Sequence, residues 1–196
     1  MDLVSRVKGI LLSPRSEWAA IDTEPATVGG LYTGYIIPLA AIPAIAGFIG
    51  SSVIGSSLLG KWPMGWGLER AIIQFVLALA ATYVLALIID ALAPSFGGQK
   101  SQIQALKVAA YSSTASWVAG IFTILPMLAI LGLLGLYSLY LLYLGLPTLM
   151  KAPQEKAMGY TVVAVICAIV LYIVIGAVTV AVVGTGSALG MGAIRP

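Results

Sequence analysis

The sequence predicts an all-α polytopic membrane protein, with five transmembrane helices and a short N-terminal amphipathic helix. Of 196 residues, 60% are hydrophobic and only 9% are charged. The mean hydropathy is +1.05, and the apolar residues gather into runs long enough to cross the ~30 Å hydrocarbon layer as helices. Once those runs are set aside, nothing remains that could bury a soluble core. Residues 1–28 read as an N-terminal cytoplasmic segment, 29–184 as a five-helix transmembrane domain and 185–196 as a short, flexible, glycine-rich tail.

In the N-terminal segment, Leu3, Val4, Val7, Ile10 and Leu11 repeat at helical spacing, with Ser5, Arg6 and Lys8 on the other side. This pattern predicts a short amphipathic helix lying on the membrane; the alternative is a frayed tail. Arg6 and Lys8 interrupt the apolar stretch too much for a signal peptide, and no small-residue cleavage site follows, so the segment is expected to be retained. Pro14 ends the helix, and Trp18 suits the headgroup zone.

The first span covers residues 31–54 and contains Pro38 and Pro43, each of which removes a backbone donor. The second covers 71–89, 19 residues without a charge, after a loop in which Trp62 and Trp66 read as interfacial anchors. Residues 108–150 hold no charge and would make a helix about 65 Å long, roughly twice the hydrocarbon thickness. They therefore read as a hairpin of the third and fourth spans, turning near Pro126. The fifth span covers 158–183.

Five spans place the termini on opposite sides. With the N-terminus inside, Arg6, Lys8, Arg15, Lys100, Lys107, Lys151 and Lys156 are cytoplasmic, against Lys61, Arg70 and Arg195 outside. The bias predicts a multi-pass protein of the bacterial inner membrane, with the N-terminus cytoplasmic and the C-terminus on the far side. It also accounts for the net charge of +3 without a nucleic-acid partner.

Catalytic chemistry finds no constellation. There is no histidine, and the one cysteine, Cys167, sits in an apolar run where it reads as packing. Neither a metal site nor a protease pair can be assembled, and GTGSALG lacks the spacing and context of a nucleotide loop. No enzyme activity, cofactor or metal is expected.

Two features invite a site. The third span opens AAYSSTASW, dense in hydroxyls for a membrane helix. At 100° per residue Ala109, Ser112, Ser116 and Gly120 share one stripe, which reads as a helix-packing seam or, alternatively, a solute path. In the fourth span Tyr137 and Tyr140 fall near mid-membrane, where unpaired hydroxyls are costly. Equal counts from Pro126 put Ser116 level with Tyr137 and Ser113 level with Tyr140. A hydroxyl network of Ser112, Ser113, Ser116, Tyr137 and Tyr140 is expected between the two spans. The second feature is Asp90, at the end of the second span. It reads as a boundary acid pairing with Lys107 at the membrane edge; the alternative is a functional intramembrane acid.

The stretches LLSPRSEWAAIDTEP, YIIPLAAI, FGGQKSQIQALKVAAYSSTASW and LYSLYLLYLGLPTLMKAPQEKAMGY together resemble the bacterial branch of the Yip family, named for its Ypt/Rab-interacting eukaryotic members. FGG followed by a polar spacer, an apolar run and AYS is the best marker. The resemblance covers nearly the whole chain and implies a five-span protein with a cytoplasmic N-terminus. Eukaryotic relatives act in vesicle traffic and carry a DLYGP motif and a longer N-terminal region. Both are missing from this sequence, and small-GTPase binding is not carried over.

The expected function is non-enzymatic: binding partner membrane proteins, self-association, or organising the lipid bilayer. The alternative is a channel or transporter for a small solute, built on the proline-bearing first span and the hydroxyl-lined hairpin.

Overall fold

The computed structural model describes residues 2–55 and 60–192 of the chain. Apart from an isolated bridge at Gly60, the described residues form helices and their connections. That suits lipid, because a helix satisfies its backbone polar groups internally. Four helical stretches are long and apolar enough to cross a membrane: Val28–Ile54, Met64–Phe96, Ile130–Met150 and Gln154–Ala181. The protein is an all-α polytopic membrane protein.

The third expected span is a broken helix. It consists of α6 (Gln102–Ser112), α7 (Thr114–Ala119) and a 3₁₀ turn at Gly120–Ile124. The break at Ser113 has a local cause. Ser112 and Ser113 both donate to the Ala109 carbonyl, at 3.3 and 2.8 Å, and Thr114 donates to the Tyr111 carbonyl at 2.7 Å. Hydroxyls that bond back onto the preceding turn compete with the backbone donors and bend the helix. The hydroxyl density is thus, first of all, a device for interrupting the span.

The hairpin turns where the sequence expects. Leu125 is extended, with φ −109° and ψ 109°, the conformation favoured immediately before a proline. The chain returns as a 3₁₀ helix, Pro126–Leu136, and then as α8 (Tyr137–Met150). Met127, Ile130, Leu133, Leu134 and Leu136 on this returning arm are exposed, Met127 by 92%.

The first span comprises α3 (Val28–Leu31), a π turn at Tyr32–Ile36, α4 (Ile37–Phe48) and a second π turn at Ile49–Ile54. The first π turn immediately precedes the Pro38 region, where the ladder must absorb a missing donor. The second span is α5 (Met64–Leu92), extended by a 3₁₀ turn at Ala93–Phe96. Gly97 ends it at φ 73°, and the Gly98 amide donates to the Ala93 carbonyl at 2.8 Å, closing the helix in the manner of a glycine cap. The next amide, of Gln99, reaches the Met150 carbonyl at 2.7 Å. A Cβ on Gly98 would stand 2.7 Å from that same carbonyl oxygen. The FGG tract is therefore a docking loop that ties the second span to the end of the fourth, and Phe96 stacks on Tyr160 of the fifth at 5.0 Å.

The fifth span is α9 (Gln154–Gly192). The tail expected from residue 185 is helical as far as Gly192, and residues 193–196 lie outside the described residues. Extending a long helix through glycine costs about 1 kcal/mol per residue, far less than nucleating a new one.

The N-terminal segment forms two helices where one was expected, α1 (Leu3–Leu12) and α2 (Pro14–Thr23). Ile10, Trp18 and Ile21 are fully enclosed in the core, at the end of the bundle that carries Lys107 and Lys151, called here the basic end. Two expectations need correction. Arg6, read as part of the polar face of α1, is only 4% exposed, and Trp18, read as a headgroup anchor, is 1% exposed. Trp18 is admitted by Gly145 of α8, whose absent side chain leaves room for the indole: a Cβ there would meet Cζ2 at 2.7 Å.

Candidate functional site

The basic end is held by charge. The Arg6 guanidinium donates to Glu17 at 2.6 Å and to Glu24, and it lies 5.7 Å from the centre of the Tyr111 ring. Lys107, 3% exposed, donates to the carbonyls of Ile21 and Glu24, at 2.8 and 2.6 Å. These are the last carbonyls of α2, which a helix leaves without partners and where a cation is favoured. Gln104 donates to the carbonyl and carboxylate of Asp22, at 3.1 and 3.3 Å, and Lys151 pairs with the same carboxylate. Residues of the third and fourth spans thus hold α2 from two sides.

The electrostatics follow from this packing. Burial opposes the charge on Arg6, but the hydrogen bond and charge of Glu24, with Glu17 beside it, outweigh burial and raise its pKa. The hydrogen bond from Arg6 holds Glu24 below the usual value of 4.5.

The expected pair of Asp90 and Lys107 does not form. Asp90 instead accepts from the Ser101 amide at 2.7 Å, just before α6, where helix N-terminal amides need acceptors. Lys107 faces the opposite way along the sequence, toward α2. Asp90 shapes the connection between second and third spans; its backbone neighbour Ile89 accepts the hydroxyl of the fully buried Tyr160.

The hydroxyl network is also rearranged. Ser116 meets the fourth span at the expected level, but on the face opposite the tyrosines. Its amide donates to Ser138 Oγ at 3.0 Å; its own hydroxyl donates to the Gly135 carbonyl at 3.1 Å and lies 2.9 Å from Ser138 Oγ. Ser138 thereby serves an amide freed by the break at Ser113. Tyr137 donates to the Leu11 carbonyl at 3.2 Å, joining α8 to α1. Tyr140 is 5.5 Å from Tyr137 ring to ring and is exposed, while Ser112 and Ser113 bond within their own helix.

The four residues of the expected seam do not share one neighbour. Ala109 and Ser112 are buried, Ser116 faces Gly135 and Ser138, and Gly120 packs on Pro43, where a Cβ would stand 2.6 Å from the ring. The break at Ser113 divides the stripe between the first and fourth spans.

Two cavities border the first span, one against the third span and the other chiefly against the second. One, about 400 Å³, opens at the basic end beside Glu24, Leu31, Lys107 and Tyr111. The other, about 310 Å³, opens at the opposite end beside Pro43, Gly50, Arg70, Gln74 and Thr123, and Arg70 there stacks over Trp62 at 5.1 Å. Between the two levels the helices meet closely. Tyr35 and Thr114 share a 2.6 Å hydrogen bond, and Leu39, Ala40 and Ala115 are buried beside it. A third, wholly apolar groove of about 280 Å³ runs between the first and second spans, lined by Ala44, Ile45, Phe48, Leu68, Ile72 and Phe75 among others. Among the described residues no cluster of three metal-ligating side chains occurs.

Sequence reasoning missed Arg6, Glu17 and Glu24 as a cluster. A signal was available: Asp2, Glu17, Asp22 and Glu24, four of the seven acids, fall within the first 24 residues, an excess that the orientation of spans does not require.

Comparison with known proteins agrees with the resemblance. The sequence model of the Yip1 domain matches residues 8–178. The chain is 27% identical over 191 residues to the inner membrane protein YohC of Escherichia coli K12, covering 93% of this chain and 98% of that protein. The YohC protein of E. coli O6:H1 strain CFT073 matches to the same extent. No solved structure matches. The chain belongs to the Yip1 domain family.

Proposed function

From this membership, we propose that the protein is a non-enzymatic scaffold of the bacterial inner membrane that binds partner membrane proteins or a second copy of itself and so organises the bilayer around it. The N-terminal helices lie on the cytoplasmic side and the C-terminus on the far side, with the five-helix domain spanning residues 29–184. The observation that supports association is the contrast between a latched basic end and an open apolar hairpin arm beside a groove without polar lining. Such surfaces offer close van der Waals packing to another helix, the main attraction available inside lipid. Photo-crosslinking groups placed at Ile45, in the groove, and Leu133, on the arm, test this in cells. Recurrent protein adducts at these sites, with lipid adducts alone at Ile173 on α9, are the expected result. Lipid adducts alone at all three sites would remove the proposal.

A second reading, passage of a small solute, is favoured by one observation: two cavities border the first span and face opposite ends. The Tyr35 and Thr114 contact would then be the gate. The apolar packing of Leu39, Ala40 and Ala115 at that level, without a charged side chain to couple to an ion, weighs against it.

A further inference from the structure

A fourth cavity, about 290 Å³, lies at the basic end between α2, the last turns of α8 and the start of α9; its wall includes Arg15, Trp18, Tyr143, Pro147, Thr148 and Gln154. Trp18 is 1% exposed, yet its Nε1–H has no hydrogen-bond partner. Buried donors are normally satisfied, and an exception calls for a ligand or an ordered solvent molecule. Arg15 is the only charged residue among the described residues lining the cavity. The nearby acids of α2 are engaged elsewhere, Glu17 by Arg6 and Asp22 by Lys151. Gln154 is the first residue of α9, so the positive end of a long helix borders the same space. Guanidinium, phenol and carboxamide can donate here, with the unpartnered indole N–H enclosed behind the same wall, and an acceptor-rich anion with several oxygens would complement them.

We propose that this cleft binds a phosphate group, presented by a phospholipid headgroup. The setting fits such a ligand: α8 ends here, and Leu144 and Pro147 give the cleft an apolar wall. The site is distinct from the groove and hairpin arm proposed for association and does not rest on that reading.

The test uses the full chain purified in a non-ionic detergent, with lipid binding followed by native mass spectrometry. The probes are phosphatidylglycerol, diacylglycerol, which lacks the phosphate, and inorganic phosphate as competitor. Phosphatidylglycerol should bind and diacylglycerol should not. Arg15→Gln and Trp18→Phe should each weaken phosphatidylglycerol roughly tenfold, the usual worth of a hydrogen bond to a charged group. Lys8→Gln, an exposed cation outside the cleft, should bind as the unaltered protein does. Displacement by inorganic phosphate would assign recognition to the phosphate alone, and its failure to displace would assign it to the lipid as a whole; both uphold the site. Equal binding of the two lipids, or undiminished binding by Arg15→Gln, would overturn it. Arg15 is exposed, so that variant decides the matter even where Trp18→Phe disturbs folding.

Discussion

The two ends of the molecule are built by different means. At the basic end, charged and amide side chains of the third and fourth spans grip an amphipathic segment: Arg6 on Glu17 and Glu24, Lys107 and Gln104 on the end of α2. At the opposite end, the contacts come from missing side chains. Gly50 lies against the Thr123 carbonyl, Gly120 against Pro43 and Gly67 against Ser52. The difference follows from the solvent. Where helices leave the membrane, charges can be hydrated while unpaired and neutralised on docking; where the hairpin turns among apolar residues, close backbone approach is the available source of attraction. One end is thus closed around itself, while the other leaves the Pro126–Leu136 arm without cover.

The strongest way to break this contrast is at Arg6. Arg6→Ala leaves Glu17, largely enclosed, without its cation, and should cost about 3 kcal/mol in detergent-solubilised unfolding, with Arg6→Lys restoring part of it. A change under ~0.5 kcal/mol would show that the latch is ornamental. At the other end, Gly120→Ala should cost about 1–3 kcal/mol through collision with Pro43, whereas Gly132→Ala, with nothing within 4 Å of the added carbon, should be neutral or slightly stabilising. Equal effects of the two glycine variants would refute packing by close approach.

A smaller effect sharpens the hairpin. Ser138→Ala removes the acceptor of the Ser116 amide and should cost about 1 kcal/mol, while Tyr140→Phe should leave thermal stability unchanged. The reverse order would restore the tyrosine network expected from the sequence. The smallest effect concerns acid. Folded Glu24 releases its proton more readily than the unfolded chain does, so its contribution is complete above pH 4.5 and is lost as the pH falls through the lower folded value. Glu24→Gln should therefore flatten the dependence of melting temperature on pH below 4.5. An unchanged slope would mean that Arg6 does not hold this carboxylate. The effect should be modest, because the Glu24 side chain is 42% exposed.

The spans and the hairpin were legible because burial in lipid imposes a length and an apolar composition that a sequence displays directly. Ser116 was placed at the right level by counting from Pro126, since a turn fixes the register of both arms. Its partner was misjudged because the rotation of α8 depends on where the 3₁₀ arm gives way to α-helix at Tyr137, and no sequence pattern marks that change. Helical-wheel reasoning across 109–120 failed for a related cause: three hydroxyls in succession broke the helix that the wheel assumed to be continuous. Asp90 and Lys107 were paired on proximity to one membrane edge, whereas their partners proved to be the orphan backbone groups of neighbouring helix ends. Arg6 was assigned to water by amphipathic spacing, and its burial became intelligible only once Glu17 and Glu24 were seen to arrive from a second helix.

If the molecule works through its outer surfaces, as proposed, the Tyr35 and Thr114 contact between first and third spans stays closed to solutes. Solute flux in proteoliposomes tests it most directly, across a panel of ions and small polar solutes, comparing the unaltered protein with Tyr35→Ala and protein-free vesicles. The unaltered protein should match protein-free vesicles for every solute. Saturable flux through the unaltered protein, altered by Tyr35→Ala, would contradict it and make the Tyr35 and Thr114 contact a gate.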